Sequence, residues 1–328
     1  MNSIPIVMAF DENFAIGACV TMYSALRNKL PDTDYSFHIM TREKLLDSTY
    51  EKFNELKIQF PNTIINFIEV DDKLDNAYTS GYWTIEAYFR LIIADIFPNL
   101  DRCIYTDVDV VICDDLTELW NTDIGTNIIA GVRDISIGKD HIKSLGIPSS
   151  EQYIYSGFLL INLELIRREH LTQNFLKLIS VGYKRHDMDI LNVVCYNRIY
   201  FLPYKYSICT INIFNRDAFN KDATLPICPV DEIEDTLDNP IIIHYVTEKK
   251  PWNTHCDYAL LNHLWYQMAL ESPYKINYLD NMLKGRNDPT KLTGLYDIHY
   301  NSRKSSTYRI GRAVTYIPRK IHKLIRRC

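Results

Sequence analysis

Two aspartates separated by one residue, Asp107 and Asp109 in the stretch CIYTDVDVVICDDL (103–116), are the side chains here with the clearest chemical potential. Ile104, Val108, Val110 and Ile112 around them are apolar and β-branched, as in a strand packed between layers. Carboxylates two residues apart on a strand point to the same face. Held together, they repel unless a cation sits between them. Mg²⁺ or Mn²⁺ suits oxygen ligands of this kind and keeps coordination positions open for a phosphate. The competing reading is a pair of solvated acids in a loop, against which the apolar run on both sides weighs.

Elements able to position such a pair are legible along the chain. IPIVMAF reads as a buried strand, DENFAIGACVTMYSALRN as a loop entering a helix, and YSFHIM as a second strand. EKLLDSTYEKFNELKIQF carries apolar residues at helical spacing, and TIINFIEV is strand-like. TIEAYFRLIIADIF is predicted as a helix that stops before Pro98. RCIYTDVDVVI follows as one strand, then NIIAGVRD and SGFLLINL. Beyond residue 170, HDMDILNVVCY starts a helix, RIYFLPYKYSI and NPIIIHYV are strands, and CDYALLNHLWYQMAL is a helix. Strands alternating with helices imply an α/β fold, a mostly parallel sheet flanked by helices. Ligands of such sheets bind beyond the carboxyl ends of the strands, where the two acids leave the core.

The 328 residues suffice for one large α/β domain, and 47% hydrophobic with 23% charged residues is ordinary for a soluble globular chain. A net charge of −5 gives no sign of a nucleic-acid partner, but it hides an asymmetry. No acid follows Asp297, whereas Arg303, Lys304, Arg309, Arg312, Arg319, Lys320, Lys323, Arg326 and Arg327 do. Among them Ile310, Ala313, Val314, Ile317, Ile321, Leu324 and Ile325 recur near helical spacing. That is the pattern of a basic amphipathic helix on an anionic membrane surface, kinked or restarted at Pro318. The bland reading is a tail packed on its own domain. The eight cysteines show no CxxC pair, and Cys103, Cys195 and Cys209 sit in apolar runs, so reduced core thiols are expected. MNSIPIVMAF has no basic region before its apolar stretch, so no signal peptide is expected. No apolar run approaches the roughly 20 residues of a spanning helix.

Two metal–phosphate chemistries fit the acid pair. In a phosphatase of the haloacid dehalogenase type, Asp107 would be a phosphorylated nucleophile, and DVDVV superficially matches that pattern. In a nucleotide-sugar glycosyltransferase, both acids hold a metal on a diphosphate. The dehalogenase signature sits on the first strand of its core. Here DVDVV begins only at residue 107, and the first strand leads instead into FDENFAIG. That context favours the transferase.

Four blocks in order carry a family likeness: IVMAFDENFAIGACVTMYSAL, YFRLIIADIFPNLDRCIYTDVDVVICDDLTELWNTDIG, YSGFLLINLELIRRE and IIIHYVTEKKPW. The chain resembles glycosyltransferase family 8, retaining enzymes of GT-A fold that include bacterial lipopolysaccharide and lipooligosaccharide galactosyl- and glucosyltransferases. The resemblance implies a GT-A catalytic domain over 1–298 and a basic membrane-associating tail over 299–328. It implies metal-dependent transfer of galactose or glucose from a UDP-sugar to a cell-surface glycan such as lipopolysaccharide or capsule, forming an α-linkage. Attachment to the cytoplasmic face of the bacterial inner membrane, where lipid-linked acceptors reside, is implied as well.

By the same resemblance, Ala9, Asp11 and Asn13 grip the uridine, Val108 and Arg90 lie at the nucleotide and donor sugar, and Lys250 binds the diphosphate. Asp107, Asp109 and His244 hold Mn²⁺ or Mg²⁺. Asp187 and Asp189 accept from sugar hydroxyls, Asp189 being preferred. Simpler roles compete at each place: a turn or N-cap for Asp11 and Asn13, an ion pair for Arg90, a structural hydrogen bond for His244, and helix-N-terminal acids for Asp187 and Asp189. Three positions depart from the family pattern. Thr247 stands for a glycine and Tyr155 for an asparagine. Met188 stands for a glutamine considered to face the anomeric carbon, where a thioether donates no hydrogen bond. Tyr155 and Met188 keep open a third reading, a nucleotide-sugar-binding relative without activity.

Overall fold

Strands and helices alternate through the first half of the chain, as the periodicity requires. β1 (Ile4–Ala9) leads through a 3-10 turn, Glu12–Phe14, into α1 (Ala15–Asn28), followed by β2 (Tyr35–Thr41), α2 (Asp47–Gln59) and β3 (Ile64–Glu69). A 3-10 helix, Ile85–Leu91, runs into α3 (Ile93–Ile96). Next come β4 (Arg102–Thr106), β5 (Val110–Ile112), α4 (Thr117–Trp120), β6 (Ile129–Gly131) and α5 (Lys139–Ser144). β7 (Phe158–Asn162), α6 (Leu163–Arg168), α7 (Leu171–Leu176), α8 (His186–Val194), β8 (Ile199–Phe201), β9 (Ile208–Cys209), β10 (Ile242–His244) and α9 (Asn262–Glu271) follow. This computed structural model of the protein describes residues 3–71, 74–81, 84–134, 136–149, 152–209, 236, 239–246, 250–253 and 261–279. Thr247, the predicted boundary at 298 and the basic tail lie outside them.

The large sheet has the order β3-β2-β1-β4-β7-β6-β8, and β7 alone runs against the rest. Alternate side chains of its central strands enter two different cores. Ile6 and Met8 of β1, Ile104 of β4 and Leu160 of β7 face one core with α1 and α2. Val7, Cys103, Tyr105 and Leu159 face the other, with α3, α6, α7 and α8. Burial on both faces explains why these strands are apolar throughout rather than alternating. Each such side chain contributes about 1.5–3 kcal/mol.

Three sequence expectations change in detail. RCIYTDVDVVI is not one strand: β4 belongs to the large sheet, while β5 pairs with β10 in a three-stranded sheet of order β5-β10-β9. Asp107, Val108 and Asp109 form the crossing between sheets. The Asp107 amide still donates to Gly157 O at 2.7 Å, extending the β4–β7 pairing, and the Tyr245 amide donates to Asp109 O at 2.8 Å, opening the β5–β10 pairing. TIEAYFRLIIADIF is largely 3-10 rather than α-helical: Ile85–Leu91 is a 3-10 helix with Glu86, Tyr88, Phe89, Arg90 and Leu91 buried, and only Ile93–Ile96 is α-helical. RIYFLPYKYSI breaks into β8, a 3-10 turn at Tyr204–Tyr206 and β9, the interruption falling at Pro203.

β5 is an edge strand, and α1 covers it with side chains spaced along one helix face. Thr21 Oγ1 donates to Val108 O at 3.0 Å and Val110 O at 2.8 Å, Ser24 Oγ accepts from the Ile112 amide at 2.9 Å, and Asn28 donates to Ile112 O at 2.8 Å. Cys19, Cys103, Cys113, Cys195 and Cys209 are free thiols, as expected. No helix among the described residues is long and apolar enough to cross a membrane.

Candidate active site

The crossing between the two sheets delivers both acids to one point. His244, the last residue of β10, stands opposite Val110 in the antiparallel register and so reaches the same point from the small sheet. Its Nε2 lies 3.1 Å from Asp109 Oδ1 and 3.7 Å from Asp107 Oδ2. One ligand atom from each of the three residues lies within 4.8 Å of the others. Two carboxylates and one imidazole on an open cavity fit a hard divalent cation. Two glycines permit this closeness. A Cβ at Gly157 would lie 2.2 Å from His244 Cε1 and 2.7 Å from Asp107 Oδ2. One at Gly17 would lie 2.6 Å from Val108 O and 2.7 Å from Trp252 Cη2.

Arg90 ties this point to α8. Its Nη2 donates to Asp107 Oδ1 at 2.8 Å, Nε lies 3.1 Å from Asp187 Oδ2, and Nη1 donates to Ser156 O at 2.5 Å. Tyr105 places its ring 4.5 Å from the guanidinium carbon and donates its hydroxyl to Asp107 Oδ1 at 3.0 Å. Lys250 Nζ reaches Asp109 Oδ2 at 2.5 Å. Burial works to raise the Asp109 carboxyl, but Lys250 and then His244 outweigh it and hold it well below the usual carboxylate range. Burial works to lower His244, yet the Asp109 carboxylate prevails and raises it to about 10. Burial raises Asp187 to about 6 against the opposing Arg90 charge, and its Oδ1 is buried without a hydrogen-bond partner among the described residues.

Ala9, Arg90, Asp107, Val108, Asp109, His244 and Lys250 line a single cavity of about 370 Å³. Phe10 and Phe14 join Ala9 on its β1 side, while Ser136, Tyr155, Arg185 and Met188 form its α8 side. Asp11 and Asn13 line a neighbouring cavity of about 480 Å³, which shares Thr84 and Glu86 with the first. Asp11 also caps the Glu12–Phe14 turn, accepting from the Asn13 amide at 2.9 Å. Asp187 and Asp189 are fully buried behind the wall, with Met188 between them on the wall itself. Asp189 is saturated internally: it accepts from Tyr153 OH at 2.5 Å and the Arg185 amide at 2.9 Å, and meets His141 Nε2 at 2.8 Å. Sequence reasoning missed Tyr105, Thr21, Arg185 and the two glycines. Gly17 and Gly157 lay in the quoted blocks, but nothing local marked their contacts.

A mostly parallel sheet with one reversed strand, an acid pair at the sheet crossing and a carboxylate–imidazole donor set beside a lysine fit the expected glycosyltransferase of GT-A fold. Residues 5–256 match the model of glycosyl transferase family 8, and the chain belongs to that family. That membership sets aside the phosphatase reading of Asp107. The chain is 26% identical over 340 residues to the lipopolysaccharide 1,3-galactosyltransferase of Salmonella typhimurium, covering 96% of this chain and 91% of that one. It is 28% identical over 259 residues to a lipopolysaccharide 1,2-glucosyltransferase of Escherichia coli, covering 76% of this chain and 73% of that one. The structure of galactosyltransferase LgtC in complex with donor and acceptor sugar analogs superimposes with a TM-score of 0.67 at 25% identity, covering 82% of this chain and 96% of that one.

Proposed function

We propose that the protein transfers a hexose, galactose or glucose, from a UDP-sugar to a hydroxyl of a cell-surface glycan such as lipopolysaccharide or capsule, with retention and an α-linkage. The observation that carries this reading is the gathering of Asp107, Asp109, His244, Lys250 and Arg90 on one cavity. The relatives named lipopolysaccharide galactosyl- and glucosyltransferases support the acceptor class.

Asp107, Asp109 and His244 would hold Mn²⁺ or Mg²⁺, which when bound supplies Lewis-acid stabilisation of the diphosphate charge. Lys250, a compact cation, neutralises the departing UDP. Ala9, Phe10 and Val108 offer the nucleoside an apolar wall, with Asp11 and Asn13 in the adjoining cavity as hydrogen-bonding groups for the base. Arg90 fixes Asp107 and Asp187 relative to each other, so the phosphates and the sugar are aligned by one guanidinium. Asp187 is fully buried behind the wall and acts on the sugar only through Arg90, whose Nε lies 3.1 Å from its Oδ2. Asp189, saturated by its neighbours, positions the turn before α8 instead. Met188 offers no nucleophile, which favours same-face attack by the acceptor through an oxocarbenium-like state.

Asp109→Ala should abolish metal-dependent turnover across a UDP-sugar panel with Mn²⁺. Full activity of that variant after chelation would refute the scheme. A protein that only binds would fail to hydrolyse any UDP-sugar without acceptor. Residues 299–328 are proposed to hold the enzyme on the cytoplasmic face of the inner membrane. Truncation from Ser302 should then abolish co-sedimentation with anionic vesicles, and continued binding would remove that role.

A further inference from the structure

The α8 side of the cavity holds a cation whose donors are largely unspent. Arg185 lines the cavity with its side chain 28% exposed. Among the described residues its guanidinium makes one hydrogen bond, Nη1 to Asp134 Oδ2. Asp134 is fully buried, and its other oxygen is taken by the Ser136 amide at 2.7 Å and Ser136 Oγ at 2.6 Å. The Arg185 backbone is fixed by the hydrogen bond that its N–H donates to Asp189 Oδ2. A buried acid thus clamps one corner of the guanidinium, and the rest of its N–H groups stay available beside the cavity.

The contrast with the other cavity cations is chemical. Arg90 spends its nitrogens on Ala87 O, Ser156 O, Asp107 and Asp187, and Lys250 on Asp109 and Tyr245 O. A guanidinium donates and never accepts, and its fork matches the two oxygens of a carboxylate or phosphate. The proposed reaction places the donor's only anionic group, the diphosphate, at Asp107, Asp109, His244 and Lys250. The donor hexose is neutral. An oxyanion on the α8 side therefore belongs to the acceptor.

We propose that Arg185, held by Asp134, recognises a carboxylate or phosphate on the acceptor sugar and so selects acidic over neutral glycans. This rests on the transferase reading. The test compares kcat/KM, with UDP-glucose and UDP-galactose as donors, for three acceptors in both the gluco and galacto series: the neutral methyl glycoside, its uronic acid and its 6-phosphate. At least one charged acceptor should be favoured about 10- to 100-fold over the neutral one, and salt should shrink the preference. The two charged arms separate carboxylate from phosphate recognition. Arg185→Gln should bring the ratio within about threefold of unity, and Arg185→Lys should retain part of it. Melting temperatures identify a variant that fails to fold. In that case the wild-type ratio and its salt dependence decide alone.

Equal or better use of neutral acceptors by the wild type overturns the proposal. So does loss of charged and neutral acceptors in equal proportion in folded Arg185→Gln, which is what a purely structural arginine would give. Donor hydrolysis with no charged preference refutes the acceptor assignment alone. Absence of all turnover, with sugar or water as acceptor, refutes the transferase reading itself.

Discussion

Gly157→Ala tests whether the closeness of the two sheets is what makes the proposed metal site. The added Cβ would lie 2.2 Å from His244 Cε1 and 2.7 Å from Asp107 Oδ2, both under the 3.0 Å that real Cβ atoms keep. Gly157 has no left-handed φ, so the substitution acts through space alone. Asp107 is bound to Gly157 through its amide, and the Asp107 carboxylate is pinned by Arg90 and Tyr105. The imidazole, at the end of a three-residue strand, is the softer partner and should move. Overpacking of this kind costs about 1–3 kcal/mol. Ligand distances tolerate only about 0.2 Å. If the strain is relieved at His244, Mn²⁺ affinity should fall about 10- to 100-fold while the melting temperature changes little. In a His244→Ala background only the 2.7 Å contact with Asp107 Oδ2 remains, so Gly157→Ala should then have a smaller further effect on Mn²⁺ binding. Calorimetric titration of the four proteins measures the coupling. Unchanged Mn²⁺ affinity in folded Gly157→Ala would refute the role given to the glycine.

Three further outcomes follow from the charges. His244 keeps its proton up to about 10, and metal binding must displace that proton. Mn²⁺ affinity should therefore rise by up to about tenfold per pH unit between pH 6.5 and 9, and His244→Gln should flatten this dependence. Asp187 is raised from 3.8 to about 6, so between those values the folded chain holds a proton that the unfolded chain has lost. Its contribution is full below 3.8 and lost as pH rises through 6. Relative to Asp187→Asn, the metal-free wild type should lose about 3 kcal/mol of unfolding free energy from pH 3.8 to pH 7. A pH-independent difference between the two proteins would contradict this. Arg90→Lys keeps the charge but cannot reach Asp107, Asp187 and Ser156 O together. It should destabilise by about 3–5 kcal/mol in denaturant unfolding, because a buried acid is left unpaired.

The sequence showed the layers because burial on both faces leaves an unbroken apolar run, as in β1, β4 and β7. It showed the acid pair because charge inside such a run is costly and so conspicuous. It misplaced the reason for their alignment. Asp107 and Asp109 point together because the chain leaves one sheet and enters another between them, and no local pattern marks a change of pairing partner. The 3-10 geometry of Ile85–Leu91 was hidden too, because apolar spacing does not separate a 3-10 from an α-helical turn over seven residues. Arg90 and His244 were found through the family likeness, since an isolated arginine or histidine carries no signal of its own. Asp189 shows the limit of that route. The aligned position is present, but Tyr153, His141 and Arg185 have claimed its oxygens, and those contacts come from three separate segments.

The stretch Asp187-Met188-Asp189 shows how one helical turn divides its work. α8 opens on a left-handed residue, His186 with φ 49°, after which the two acids are buried and Met188 lines the cavity. The inward acids then meet different surroundings. Asp189 finds three donors and becomes a fixed strut for Arg185. Asp187 finds Arg90 and Ser156 on one oxygen only, 3.1 Å from each, and keeps the other unused. An unused buried carboxylate oxygen is costly, and burial accordingly raises Asp187 to about 6. Asp187 thus serves to hold Arg90 against Asp107 from behind a wall residue, Met188, that offers the cavity no nucleophile.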